Sequence, residues 1–356
     1  MPESNTIKSA PRTTPALASR HHLGRVSGPL PTGRVRRRYW IVLSILIILA
    51  LGFAGGLLAY DNPMPPGTPG FWLIAQMRSV NVLVMLLVAF CQAMATVSFQ
   101  TATNNRIITP SIMGFESLYI AVQTGAVFFL GAAGVTAIQG VPQFALQLVL
   151  MVGLSMALYG WLLSGKNGNL QIMLLVGIVL GGGLGAVSSF MQRLLTPSEF
   201  DVLTARLFGS ISNADVSYLP VAIPLAAVAG TLLWLNAKRL NVIALGKDAS
   251  TNLGLNHRFE TMRVLFLVSI LMAVSTALVG PMTFLGFLVA TLAYQLADTH
   301  DHLYVFPVAI LVGFVVLSGA YFVMKNVFYA QGVVSIIIEA VGGTVFLIFI
   351  LRKGRL

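Results

Sequence analysis

Apolar residues occur along this chain in ten long runs that short polar connections separate. A helix that crosses a hydrocarbon core of about 30 Å needs roughly 20 apolar residues, and most of the runs reach this length. The pattern therefore predicts ten transmembrane helices, over residues 39–60, 80–99, 114–133, 141–163, 170–191, 218–235, 264–280, 284–296, 303–323 and 333–351. The eighth run is too short to cross a bilayer perpendicularly, so we expect a half-length helix that its neighbours shield from lipid.

Two of the connections are longer than simple turns. Residues 193–217 carry apolar side chains beside Arg206, which indicates a short amphipathic helix along the membrane surface. Residues 236–263 form the most polar stretch after the amino terminus, and a glycine closes a short helical pattern at 244–254. A polar helix that cannot enter lipid must contact water or a soluble partner.

The composition places the chain in a membrane. Hydrophobic residues make up 56% of it and charged residues 9%, with a mean hydropathy of +0.85, whereas about 25% of residues are charged in an ordinary soluble domain. A soluble enzyme is therefore excluded. The single cysteine, Cys91, lies inside an apolar run, so the chain can form neither a disulfide framework nor a cysteine metal cluster.

Basic residues are concentrated at the amino terminus. Residues 1–38 hold eight Lys and Arg with one acidic residue, and they contain few large apolar side chains. Such a segment cannot bury enough surface to fold alone, so we expect a disordered basic cytoplasmic arm before a transmembrane domain at 39–356. With the amino terminus inside, the ten spans place 18 basic residues on the cytoplasmic side and 4 outside. The positive-inside rule thus predicts that both termini are cytoplasmic.

Two acidic residues, Glu116 and Glu339, fall inside predicted spans, where ionisable groups are costly and usually functional. Glu116 lies near the start of its span, which predicts a solvated position near the inner surface. Glu339 lies deeper, and three alternatives are open for it: pairing within the bundle, lining an aqueous cavity, or relaying protons.

Glycines recur at a spacing of four in the fifth span, at Gly177, Gly181 and Gly185, with Ser188 on the following turn. Small residues on one helix face let two backbones approach closely, so tight helix packing is one interpretation. The other interpretation is that this smooth face lines a translocation pathway wide enough for a bulky solute.

The chain offers no site for catalysis or for a cofactor. A glycine-rich sequence at 160–167 imitates a phosphate-binding loop, but Asn167 stands where a Ser or Thr must bind magnesium. None of the five histidines forms a helical zinc-binding pair with an acid. We therefore expect no bound ATP, cofactor or metal and no catalytic residue, and the basic residues do not form a nucleic-acid-binding pattern.

Three segments follow a known set of motifs. Residues 245–254 read L-G-K-D-A-S-T-N-L-G, which is similar to the pattern L-G-x-x-x-A-x-x-L-G with Ser250 in place of the alanine. Residues 105–114 resemble N-P-L-A-x-P-x-x-x-G without its first proline, and residues 280–286 resemble the turn G-x-I-x-F-x-G. These motifs belong to FecCD-like permeases, the membrane subunits of ABC importers for ferric siderophores and cobalamin, which the chain resembles from about residue 78 to 355.

The resemblance implies an all-α polytopic membrane protein with the type II ABC importer permease fold, in the bacterial cytoplasmic membrane. It implies import of a ferric siderophore by a permease without its own ATPase site. The implied partners are a second, non-identical permease, two ATPase subunits that hold ATP and Mg, and an extracytoplasmic siderophore-binding protein. Within the cytoplasmic coupling loop at 236–263, the residues that would contact the ATPase are Ala244, Leu245, Gly246, Asp248, Ser250, Leu253 and Gly254.

The chain departs from the family at its outer face. The family's docking motif R-x-x-R keeps only Arg78, and Met324 stands where a further docking arginine is usual, with Lys325 beside it. Arg78 and Lys325 are therefore the expected contacts with the binding protein. Such a reduced set fits one half of a heterodimer whose other subunit keeps more of the usual residues.

The fifth and tenth spans would line the translocation pathway in this family. On this chain the resemblance places Gly177, Gly181, Gly185, Ser188 and Glu339 there. A rival hypothesis is an ion- or proton-coupled secondary transporter of a small solute, which would use Glu116 and Glu339 and need no ATPase.

Overall fold

The computed structural model describes residues 28–163, 170–212, 214–328 and 334–353, and over these ranges the chain forms helices and no strand. Each of the ten predicted spans corresponds to a helix. They are α1 (Gly33–Ala59), α2 (Pro69–Ala102), α3 (Glu116–Ala137), α4 (Val141–Leu163), α5 (Leu170–Arg193), α7 (Leu219–Leu235), α10 (His257–Val279), α11 (Leu285–Ala297), α12 (His302–Asn326) and α13 (Val334–Lys353). Three shorter helices, α6 (Pro197–Leu207), α8 (Ala237–Ile243) and α9 (Lys247–Asn252), lie in the connections.

The lengths of these helices confirm the prediction of an all-α membrane protein. Within the described ranges, nine helical segments are long and apolar enough to cross a membrane. The exception among the ten is α11, which has 13 residues. Neighbouring helices bury most of one side of α11, as the short apolar run predicts.

The first helix begins earlier than its apolar run. α1 starts at Gly33, where the Thr32 hydroxyl accepts a hydrogen bond from the Val35 amide at 3.3 Å, so residues 33–38 extend the helix and do not belong to the arm. Arg38, on this extension, forms a 2.9 Å ion pair with Asp298. Residues 1–27 of the predicted arm lie outside the described residues, as do residues 164–167 of the segment that imitates a phosphate-binding loop.

α2 and α10 form the centre of the bundle. These two helices bury more of their apolar windows than the other spans do. Two helices approach α2 closely at glycines, which have no side chain to hold the backbones apart. Gly313 of α12 lies against Ala89, and Gly286 of α11 lies against Thr96. α2 is therefore enclosed on several sides, which explains why buried residues occupy almost every position of its second half.

The bundle has two ends, which we name after the short helix at each. At the α9 end, Thr101 at the end of α2 contacts His302 at the start of α12. At the α6 end, Ser212 contacts Tyr321 near the end of α12 at 3.1 Å. These contacts place the polar connection at 236–256 and the connection at 194–218 on opposite ends of the molecule.

α6 is the amphipathic helix that the sequence predicts in the second connection. A capping box begins it, in which the amide and hydroxyl of Thr196 donate to the Glu199 carboxylate at 3.0 and 2.8 Å. These hydrogen bonds hold the pKa of the Glu199 carboxyl below its usual value. Leu203 is fully buried and packs α6 against α3.

Candidate functional site

The connection at the α9 end exposes apolar side chains on a polar surface. Gly246 and Gly254 bound the short helix α9, and both have a positive φ (93° and 85°), a conformation that favours glycine. Leu245 is 61% exposed, Leu253 63% and Phe259 63%. Apolar side chains that are exposed beside charged residues are typical of a surface that binds another protein.

Hydrogen bonds fix α9 to the membrane helix that follows it. The side chain of Ser250 is fully buried, and its Oγ lies 2.8 Å from Nδ1 of His257 in the first turn of α10. Ser250 Oγ also donates to the carbonyl of Lys247 at 3.0 Å. The hydroxyl that replaces the family's alanine therefore has a structural role that the motif alone did not predict.

An ion pair fixes the preceding helix to the same element. Arg239 of α8 lies 2.7 Å from the carboxylate of Glu260 in α10, and Arg263 lies 4.0 Å from the other carboxylate oxygen. The Glu260 side chain is buried, whereas that of Arg239 is half exposed. α8, α9 and the start of α10 are therefore joined by polar contacts on both sides of the exposed leucines.

The predicted ATPase contacts do not all face outward. Ala244, Leu245, Asp248, Leu253 and Gly254 are exposed, Gly246 is half-buried, and Ser250 is buried. Only the exposed members of this set can contact a partner directly. Ser250 and Gly246 instead shape the loop that presents them.

A polar network joins this loop to α2 and α12. The side-chain oxygen of Asn241 in α8 accepts from the His302 amide at 3.1 Å, and its nitrogen donates to Asp301 at 2.9 Å. His302 Nε2 lies 2.6 Å from the hydroxyl of Thr101 in α2. Beside this network, a cavity of about 380 Å³ is lined by Leu245 and by polar residues that include Arg106.

Glu116 does not lie where the sequence predicts. It is 7% exposed, and its carboxylate accepts hydrogen bonds from the Met282 amide (3.1 Å) and from the Thr283 hydroxyl, both in the turn between α10 and α11. The expected solvated position near the inner surface is therefore wrong. The reason is that the segment before α3 rises into the bundle, so that Gly114 packs against the middle of α5 and α3 begins there.

Glu339 approaches the same turn from α13. Its side chain is exposed, and its carboxylate is close enough to that of Glu116 to interact electrostatically. α13 can approach because Gly342 lies against Phe284, where an added Cβ would come within 2.7 Å of the Phe284 Cβ. The structure thus brings together two acids that are far apart in the sequence, at the turn that carries the family's G-x-I-x-F-x-G pattern.

The glycines of α5 divide into two groups. An added Cβ at Gly181 would lie 2.8 Å from the Gly114 Cα, and one at Gly177 would lie 2.6 Å from the Met113 side chain. These two glycines are therefore packing positions, as the first interpretation of the repeat predicts. Ser188 is also buried, with its hydroxyl donating to the Leu184 carbonyl at 2.8 Å.

The open face of α5 carries other small residues. An added Cβ at Gly185, which is half-buried, would meet no atom within 4 Å, and the same holds for the exposed Gly182 and Gly183. The glycine surface that could face a solute or a partner is therefore formed by Gly182, Gly183 and Gly185, and not by Gly177 and Gly181.

Arg78 is engaged within the chain. Its guanidinium donates to the carbonyl of Leu57 in the last turn of α1 (3.4 Å) and to those of Tyr60 (2.7 Å) and Asp61 (2.8 Å) just after the helix. Lys325 is half-buried, and its charge interacts with those of Arg78 and Asp61. The two predicted docking residues are thus neighbours at the α6 end, and Arg78 also satisfies carbonyls that the end of α1 leaves free.

Comparisons with known proteins identify relatives along nearly the whole chain. The FecCD transport family matches residues 39–353. The chain is 51% identical over 339 residues to the petrobactin import system permease protein FatC of Bacillus anthracis, covering 95% of this chain and 96% of the relative. It is 35% identical to the petrobactin import system permease protein YclO of Bacillus subtilis, covering 88% of this chain and 98% of that one.

A solved structure has the same fold. It is an inward-facing conformation of a metal-chelate type ABC transporter, which matches with a TM-score of 0.75 at 21% identity. The match covers 88% of this chain and 99% of the other chain. The chain therefore shares its fold with a chain of that ABC transporter.

Proposed function

The chain belongs to the FecCD transport family of ABC importer permeases, and from this premise we propose that it imports ferric petrobactin or a closely similar siderophore. The identity to two petrobactin permeases, one at 51% over nearly the whole chain, is the observation that supports this cargo. In this proposal the chain is one half of a permease pair in the bacterial cytoplasmic membrane, and the partner permease is a different chain.

We propose that ATP hydrolysis on separate subunits drives the transport, and that the α9 end receives the force. Leu245, Leu253 and Phe259 offer an exposed apolar surface to a cleft on the ATPase. The contact of Ser250 with His257 would transmit a push on α9 to α10, one of the most buried helices, and that of Arg239 with Glu260 would transmit a push on α8 to the same helix. ATP and Mg belong to the ATPase subunits in this mechanism.

The distribution of basic residues supports a cytoplasmic α9 end, with both chain termini on the same side. A binding protein would then dock at the α6 end, where Arg78 and Lys325 are neighbours. Because Arg78 already donates to three carbonyls, its share of the docking energy would be small, and the partner permease would supply more of it.

The translocation pathway in this proposal runs between the two permeases, along α5 and α13. The open face of α5 at Gly182 and Gly183 and the exposed Glu339 on α13 would face the cargo. A wall with few specific contacts lets a bulky chelate leave as easily as it enters, so specificity would be set mainly by the binding protein.

Uptake of radiolabelled ferric petrobactin tests the proposal, in cells that lack their own petrobactin permeases and carry this chain with its partner subunits. We expect uptake that stops when the ATPase is inactivated. Leu253→Glu should abolish uptake while the chain remains in the membrane, because a charge replaces the apolar contact with the ATPase. Leu253→Met and Leu235→Glu, the second at an exposed leucine outside α9, serve as controls.

Two results would contradict the proposal. Uptake that continues without an active ATPase would favour the secondary transporter. Normal uptake by the Leu253→Glu variant, with the ATPase still bound, would show that force does not enter through α9.

A further inference from the structure

A polar chamber of about 460 Å³ lies at the α6 end, between α3, α4, α6 and the end of α10. Its walls carry four glutamine side chains, together with one arginine and one aspartate. The side chains that define it are Gln123, Gln139, Gln143, Gln147, Arg206 and Asp215.

An apolar groove of about 340 Å³ continues from this chamber between α3 and α4. Its walls include Ala126, Phe129, Leu130, Leu146 and Leu150, and Phe129 is exposed on the outer surface of α3. The groove shares Gln123, Gln143, Gln147 and Arg206 with the chamber. The two cavities are therefore one site with a polar part and an apolar part.

The polar part has hydrogen-bonding capacity that the chain itself does not use. Gln123 Nε2 donates to Gln147 Oε1 at 3.0 Å, yet Gln147 Nε2 has no acceptor in hydrogen-bonding geometry, although the Tyr119 phenol is close by. Gln147 is only 7% exposed. A buried amide without an acceptor is costly, which favours a ligand that supplies one.

The cation of the chamber also lacks a carboxylate partner. The Arg206 guanidinium contacts the Val135 carbonyl at 3.5 Å and approaches the Gln143 amide, and the described residues include no ion pair for it. An arginine matches a phosphate in both charge and geometry. The site thus offers a cation and amide donors beside an apolar groove that opens between two membrane helices.

We propose that this site binds one glycerophospholipid of the surrounding bilayer, with its phosphate at Arg206 and Gln147 and an acyl chain in the groove between α3 and α4. A phospholipid combines the anion and the hydrocarbon chain that the two parts require, and it reaches the groove directly from the bilayer. The proposal depends only on the membrane-spanning fold and not on the identity of the cargo.

The lipid would support the region in which α6 packs on α3. Tyr119 of α3, which lines the chamber, donates to the Arg206 carbonyl at 2.9 Å. Chamber residues therefore also belong to the contact between these helices. Gly209, which follows α6, packs against Pro281, so the same region also adjoins the α10–α11 turn.

Native mass spectrometry tests the proposal on the complete importer, purified in a mild detergent and then reconstituted with phosphatidylglycerol. We expect one tightly held phospholipid per copy of this chain. Gly125→Leu should narrow the groove, because Gly125 lines it and an added Cβ there meets no atom within 4 Å. This variant and Gln147→Leu should each lower lipid affinity about tenfold, the effect of losing one good contact.

Gly153→Leu is the matched control, since Gly153 is an exposed glycine of α4 that lines neither cavity and has equally open space around it. It should leave the bound lipid unchanged. The proposal is overturned if wild-type protein retains no lipid, if both leucine variants retain as much as Gly153→Leu, or if ferric siderophore displaces the lipid from the site in competition. Inorganic phosphate at millimolar concentration should not displace it, and displacement would equally contradict the role of the acyl chain.

Discussion

The hydroxyl of Ser250 and Nδ1 of His257 lie 2.8 Å apart, and this hydrogen bond fastens α9 to the first turn of α10. Ser250 stands where the related motif has alanine, so the bond is an addition to the usual loop. It gives the exposed leucines on either side of α9 a fixed position relative to one of the most buried membrane helices.

We predict that Ser250→Ala weakens ATP-driven uptake by a few-fold without abolishing it, because a net hydrogen bond contributes about 1 kcal/mol. His257→Ala should have an effect of similar size. The double variant should be no worse than either single variant, since both remove the same bond. Fully additive losses of uptake in vesicles would show that the two residues act independently.

Uptake and thermal stability should fall more when Arg239 alone is removed than when the charges of both Arg239 and Glu260 are removed. Arg239→Ala leaves the buried Glu260 carboxylate with only the weaker contact to Arg263 at 4.0 Å. Arg239→Ala combined with Glu260→Gln removes the buried charge as well. We expect the double variant to recover part of the uptake and of the thermal stability that the single variant loses. Thermal unfolding of the purified importer measures this, and a double variant less stable than Arg239→Ala would contradict it.

Glu116 should act as a structural acceptor. Glu116→Gln keeps an oxygen for the Met282 amide or the Thr283 hydroxyl, and we expect it to retain most uptake. Glu116→Leu should destabilise the chain by about 1 to 3 kcal/mol, because the buried Met282 amide loses its acceptor. If Glu116→Gln abolishes uptake in a protein that is folded and assembled, proton transfer at Glu116 regains support.

Adjacent glycines of α5 provide a matched pair for the packing interpretation. Gly181→Leu should prevent stable assembly, since even a Cβ at this position lies 2.8 Å from the Gly114 backbone. Gly182→Leu should insert and fold normally, because an added Cβ there meets nothing within 4 Å. The expression level and the size-exclusion profile of each variant measure whether it folds and assembles. A Gly182→Leu variant that folds but transports slowly would support the pathway on this face.

Arg78 should affect the end of α1 as well as docking. Arg78→Ala removes three hydrogen bonds to carbonyls in the last turn of α1 and just after it, so we expect faster limited proteolysis within residues 60–68. Lys325→Ala, the neighbouring change, should not alter this cleavage. Identical cleavage of the Arg78→Ala variant and the unmodified protein would mean that the capping contacts contribute little.

The amino-acid order alone determined the number and type of the apolar helices. Ten apolar runs predicted ten helices, and the 13-residue helix α11 was recognisable as short because too few apolar residues precede Asp298. The polar connection at 236–263 was equally evident, since charged residues cannot enter lipid. Which of its side chains are exposed could be predicted only in part. The motif does not show that Ser250 is buried while the leucines are exposed.

Tertiary structure decided where the polar residues of the spans meet. Glu116 was misplaced because its depth depends on the path of residues 103–115, which rise to the middle of α5 before α3 begins. Gly181 and Gly182 are adjacent in α5 but have different roles, and only the packing of Gly114 against α5 distinguishes them. Gln143 and Gln147 lie four residues apart in α4, but the chamber they line exists only because α3 and α6 bring Gln123 and Arg206 to it. Hydrophobicity fixes which segments enter the bilayer, whereas contacts between helices fix which side chains within them become neighbours.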